Sequence, residues 1–162
     1  MTIFTYIFFA ILTLITSVLD ISYFSAIPIL GSSILLTFEL VIIIAAYDWR
    51  YYSIIFSMFA ILFYSGLSSL PIYYILILFI IIPLLIFYLR KRIIFEINYF
   101  TFLTIIVASN FLFQMIYLLI EWNFSFDALI SALSFILINT LAGMVLFIIS
   151  SKLSRTLKIG KN

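Results

Sequence analysis

The side chains of this 162-residue chain with chemistry to offer are few, and four of them lie inside long apolar stretches. Glu39 stands in the middle of an aliphatic run, eight residues from both Gly31 and Tyr47. A charge at the centre of a bilayer costs roughly 2.5–3.5 kcal/mol even on lenient insertion scales, so such a residue faces other helices or a wet cavity, or carries a proton. Its functional readings are a proton relay, a cation site or a partner contact. Its structural reading is a protonated acid making one interhelical hydrogen bond. Asn110 and Gln114 are four apart and share a helical face, with Thr104 and Ser109 nearby; Ser131, Asn139 and Gly143 are spaced in fours and eights. Small and amide residues at this spacing let helices approach and hydrogen-bond, each bond being worth about 0.6–2 kcal/mol. The alternative is a lined cavity in which Glu39, Asn110, Gln114 and Asn139 converge at mid-depth.

The residue types that are missing narrow the chemistry further. The chain has no Cys and no His, which removes disulfides, thiolate nucleophiles, imidazole bases and the usual zinc sites. It contains no Gly-rich phosphate loop, paired-carboxylate site or Ser/His/Asp arrangement. Glu121 and Asp127, six apart in a turn, are a weak pattern for catalysis or for a metal. The expectation is a non-enzyme with no catalytic residue, no metal ligand and no cofactor. Thr13, Ser17 and Asp20 form one small polar stripe, and Ser53, Ser57, Ala60 and Tyr64 another; both read as helix contact faces.

The elements that must carry these residues follow from composition. The chain is 67% hydrophobic and 9% charged, against about 25% charged residues in a soluble domain. Too few polar side chains exist to cover a water-soluble surface, so the solvent is lipid. A helix needs about 20 apolar residues to cross a hydrocarbon core of ~30 Å. Breaks at charges, Pro, Gly and Asn leave six spans: 2–19, 29–47, 51–70, 72–89, 99–120 and 126–151, with a basic tail over 152–162. The sequence thus predicts an all-α, polytopic membrane protein forming a single six-helix domain over residues 1–162, its first stretch a span rather than a cleavable signal. Runs such as Ile75 to Ile82 do not alternate, which argues against barrel strands. Pro83 falls inside the fourth span, where a kink is expected. Trp49 and Trp122 sit at span boundaries, as interfacial anchors do.

The cations then orient the spans. Arg50 follows the second; Arg90, Lys91 and Arg92 follow the fourth; Lys152, Arg155, Lys158 and Lys161 follow the sixth, and these are all eight in the chain. The first, third and fifth connections hold only the acids Asp20, Glu121 and Asp127. The positive-inside rule therefore places both termini in the cytoplasm. The tail adds weak attraction to anionic membrane lipids, about 1 kcal/mol per cation, and with the basic residues so explained no nucleic-acid partner is expected.

Three stretches resemble the rod-shape-determining MreD family of small six-span proteins. They are Ser22-Tyr23-Phe24-Ser25-Ala26-Ile27-Pro28 after the first span, Tyr64-Ser65-Gly66-Leu67-Ser68-Ser69 after the third, and Leu137-Ile138-Asn139-Thr140-Leu141 in the last. The sequence departs from the family at Gly31-Ser32-Ser33-Ile34-Leu35, where a Pro-Asp-Leu type opening is frequent, and at Ser68 and Ser69, where the motif usually continues to an Asp. The resemblance implies a scaffold of the cell-shape and peptidoglycan-elongation machinery in the bacterial inner membrane, binding membrane proteins such as an MreC-like single-span partner. The competing class is a substrate-binding subunit of an energy-coupling-factor type vitamin transporter, which would bind a small molecule. A third is an accessory subunit packed against a larger membrane complex.

Overall fold

The computed structural model describes residues 3–26, 32–47, 49–92 and 97–156, and its regular elements are helices. Helix α1 covers Ile3–Val18 and continues through a π-helical turn, Leu19–Phe24. The others are α2, Leu36–Ala46; α3, Arg50–Leu67; α4, Ile72–Arg92; α5, Tyr99–Glu121; and α6, Phe126–Thr156. Among the described residues five helices are long and apolar enough to cross a membrane, namely α1 with its turn and α3 to α6. The chain is an all-helical, multi-pass membrane protein.

Its burial pattern is that of a lipid-solvated bundle. On α1 the buried side chains are Thr13, Thr16 and Ser17, whereas Phe4 and Phe8 are 79% and 60% exposed. In water this face would be inside out. In hydrocarbon it is favourable, because a polar group left facing lipid finds no partner. The stripe Ser53, Ser57, Ala60 and Tyr64 on α3 is buried as well; α1 packs on α3, whereas Ser53 and Ser57 line a hollow against Phe79, Pro83 and Phe87 of α4.

The second span differs from its expectation over 29–47. Its helix is only 11 residues, Leu36–Ala46, and residues 33–35 carry no regular structure; positions 29–31 lie outside the described residues. The helix starts late because its first N–H groups are taken by a carboxylate from α1 and the preceding backbone is bonded to α6, as detailed below. Yet α2 is the centre of the bundle. It contacts α1, α3, α4, α5 and α6, and Phe38, Val41, Ile42, Ala45 and Ala46 are fully buried around its circumference.

The remaining boundaries shift for local reasons. Helix α3 stops at Leu67, short of the expected 70, where Ser68 turns extended and its hydroxyl accepts the Leu70 N–H at 3.0 Å. Helix α4 runs to Arg92 rather than 89 and relaxes into a π-helical segment at Ile77–Ile81, just ahead of Pro83. Such a bulge takes up the lost hydrogen bond and ring clash of an internal proline. Helix α5 opens on a capping box in which Asn98 accepts from the Thr101 N–H. It closes at Trp122, whose left-handed φ of 50° lets its N–H reach the Leu118 carbonyl. Helix α6 extends to Thr156, past the expected 151 and into the basic tail.

Side-chain contacts fix the helix directions. The Tyr6 and Tyr51 hydroxyls hydrogen-bond at 2.6 Å, the Phe9 ring packs on Tyr52 and Phe56, and Tyr64 meets Asp20. Helices α1 and α3 therefore run parallel, and the chain between them returns through the thickness of the bundle as α2. Arg50 near the start of α3 lies over the Phe87 ring near the end of α4, so those two are antiparallel. Tyr47 and Tyr99 both pack on Phe147, gathering the end of α2, the start of α5 and the later part of α6. Arg50, Arg90, Lys91 and Arg92 consequently share one end of the bundle.

Candidate functional site

The polar groups of the interior form a ladder around α2. Its first rung is Asp20, in the π-helical turn after α1. The carboxylate accepts the N–H of Leu36 at 2.7 Å, the N–H of Thr37 at 2.9 Å and the hydroxyl of Tyr64 at 2.6 Å. The first N–H groups of any helix lack intrahelical partners and carry the positive end of its dipole. Here an acid from another helix supplies the cap that Leu35, the residue at the N-cap position, lacks. The sequence placed Asp20 in an outer connection; the structure corrects that, since it is 2% exposed and inside the bundle.

Asn139 on α6 forms the second rung. Its Oδ1 accepts the Leu35 N–H at 2.8 Å, and its Nδ2 donates to the Ser33 carbonyl at 3.0 Å and to the Phe135 carbonyl one turn earlier. The Ser32 hydroxyl donates to the Ser131 carbonyl at 2.9 Å. An amide side chain can mimic the backbone edge it faces, so non-helical backbone inside the bundle is satisfied by α6. This explains how residues 32–35 tolerate partial burial without helix.

The third rung is Glu39, which is fully buried. Its Oε1 accepts from Asn110 Nδ2 on α5 at 3.1 Å, and the same amide donates to the Ile106 carbonyl. Two oxygens of this pair, Glu39 Oε2 and Asn110 Oδ1, are buried without a hydrogen-bond partner. Gly143 on α6 makes room for the carboxyl: a Cβ there would lie 2.6 Å from Glu39 Oε2 and 1.9 Å from Ile106 Cδ1. The small residue is needed here for close approach, in keeping with small-residue helix packing in membranes.

The four sequence candidates do not meet at one point. Glu39 and Asn110 touch; Asn139 lies one turn from Gly143 and bonds the 32–35 backbone; Gln114 lies one turn from Asn110 and faces a cleft. That cleft has a volume of about 300 Å³ between the end of α5 and the start of α6, and is lined by Gln114, Tyr117, Glu121, Asn123 and Ser131 among others. A second hollow of about 220 Å³ shares Gln114, Tyr117 and Ser131 with it and reaches Ser32 and Ser33. Tyr74 stands beside both, its hydroxyl donating to Glu121 Oε1 at 2.6 Å. Asp127, paired with Glu121 in the sequence reading, is exposed. Among the described residues no group of three or more His, Cys, Asp or Glu is placed to hold a metal ion.

Sequence reasoning missed the roles of Asp20, Tyr64 and Tyr74. An isolated Asp between apolar runs is the ordinary mark of a span end, and its target backbone lies 16 residues on, so spacing carried no signal. Tyr64 was placed on a contact face, where it lies, but not as a hydrogen-bond donor. No protein-family model matches the chain, and neither a curated protein nor a solved structure matches it.

Proposed function

We propose that the protein is a non-enzymatic scaffold that crosses the membrane six times, with both termini in the cytoplasm. The observation that carries this reading is the use of the interior polar groups. Asp20 and Asn139 are spent on the backbone at the start of α2 and Asn110 on Glu39 within it, leaving a packed core whose outward faces are largely apolar. Such a core presents helix surfaces to other membrane proteins.

Six crossings are supported by length as well as direction. Four non-helical residues, at most ~3.3 Å each, and the 11 residues of α2 at ~1.5 Å give an upper reach of about 30 Å, enough for a hydrocarbon core. The parallel pair α1 and α3 requires one return between them. The shared end of Arg50, Arg90, Lys91 and Arg92 favours that end as cytoplasmic.

With the MreD-like resemblance, the partner is a single-span cell-wall elongation protein in the bacterial inner membrane. Affinity purification from native membranes tests this: such a partner should co-purify, and recovery of the protein alone under gentle solubilisation would contradict it. A second reading, the substrate-binding subunit of a vitamin transporter, is favoured by the polar and aromatic cleft at Gln114, Tyr117 and Glu121. Thermal stabilisation of the purified protein by micromolar vitamin would replace the scaffold reading with this one.

A further inference from the structure

The two buried carboxylates among the described residues, Asp20 and Glu39, are bonded in opposite ways. Asp20 receives donors on both oxygens, from Leu36, Thr37 and Tyr64, which is the environment of an anion. Glu39 receives a single donor, Asn110 Nδ2 on Oε1, while its Oε2 has no partner. The matching acceptor, Asn110 Oδ1, is also buried and unpartnered. A carboxylic acid and a primary amide are complementary: one N–H donates to the acid carbonyl and the acid O–H donates to the amide carbonyl, closing a ring of two hydrogen bonds. One half of that ring is present at 3.1 Å, and the two atoms that would make the other half are the buried, unpartnered oxygens of the same two side chains.

We propose that Glu39 and Asn110 form a proton-binding site, in which a proton on Glu39 Oε2 is shared with Asn110 Oδ1 and joins α2 to α5. The surroundings favour a proton over a metal ion. Hard cations collect about six or more oxygens, whereas two unpartnered ones are present, and the α6 backbone at Gly143 crowds Oε2. The titratable groups on the neighbouring elements do not supply a countercharge. Asp20 at the end of α1 is an acid, of like sign to Glu39, and Tyr64 on α3 donates to Asp20. Tyr74 on α4 donates to Glu121 at the end of α5, and α6 brings Gly143 to the carboxyl. A proton is the smallest species that satisfies both oxygens without opening the bundle.

The chain has three glutamates, Glu39, Glu96 and Glu121, so infrared spectroscopy of protein labelled with ¹³C at the glutamate carboxyl isolates the group. At pH 8 in lipid nanodiscs we expect a protonated-carboxyl stretching band that shifts with the label and is lost in Glu39→Gln. Absence of that band from the wild-type protein, or its loss in Glu121→Gln instead, overturns the proposal. Disappearance of the band when choline is replaced by sodium would also overturn it, by making a metal cation the occupant. Glu39→Gln should fold, since Gln is the isostere of the acid and can pair with Asn110 in the same way. Should it not accumulate, Asn110→Leu serves as the second variant: the label-sensitive band should move to higher frequency as the acid loses its partner, and an unmoved band refutes the pairing.

Discussion

Replacing Asp20 by Ala should destabilise the bundle more than any other single polar deletion. The side chain holds three donors, the N–H groups of Leu36 and Thr37 and the Tyr64 hydroxyl, at 2.7, 2.9 and 2.6 Å. Removing it leaves the buried Thr37 N–H and Tyr64 hydroxyl and the part-buried Leu36 N–H without an acceptor, at a cost of about 1–3 kcal/mol each. Partial relaxation makes these costs less than additive, so a loss of about 3–6 kcal/mol is expected. Tyr64→Phe removes one bond and leaves Asp20 its two backbone donors; it should cost about 1.5–3 kcal/mol, the range for a hydrogen bond to a charged group. Asp20→Asn keeps an acceptor oxygen and should fall between the two. Unfolding in mixed micelles titrated with a denaturing detergent, followed by the fluorescence of Trp49 and Trp122, gives the free energies. The double variant is the sharper part. Once Asp20 is gone the Tyr64 hydroxyl is an orphan, so Tyr64→Phe in the Asp20→Ala background should be neutral or stabilising. Additive effects, or an Asp20→Ala loss below about 0.5 kcal/mol, would refute the cap.

Asn139→Leu should cost about 2–4 kcal/mol by stranding the Leu35 N–H and the Ser33 carbonyl, and should speed amide exchange at Leu35; unchanged exchange there would contradict the bond. Gly143→Ala should cost about 1–3 kcal/mol through overpacking against Ile106 Cδ1 and Glu39 Oε2. Ile106→Val, which removes that Cδ1, should recover part of the loss in the same unfolding assay. Trp122→Gly should raise stability by about 0.5–1 kcal/mol, because Trp122 is 80% exposed and holds a left-handed φ that a side chain disfavours; a loss above 1 kcal/mol would show that its interfacial anchoring outweighs the strain.

The fold was legible where bulk hydropathy decides it. The start of α5 at Tyr99 and of α6 at Phe126, the small polar faces of α1 and α3, and the grouping of the basic residues Arg50 and Arg90 to Arg92 all follow from local pattern. The interrupted second segment was not legible, because Ile34 and Leu35 are as apolar as the helix that follows. What keeps them out of the helix is Asp20, which caps it at Leu36 and Thr37, and an amide on α6, and neither has a local signature. Glu39 was recognised as the costly residue and Asn110 as a polar face, but their pairing depends on the approach of α6 at Gly143, which only packing reveals. Gln114 shares a face with Asn110 yet belongs to the cleft near Tyr117 and Glu121, since four residues along a helix carry a side chain about 6 Å towards its end.

The central claim is that the segment through α2 crosses the membrane although its helix is short. The chain has no cysteine, so single cysteines report cleanly. Ser22 and Tyr51, both exposed, flank the crossing. A membrane-impermeant maleimide applied to intact spheroplasts should label Ser22→Cys, and should label Tyr51→Cys only after lysis. Labelling of both from the same side would contradict the account.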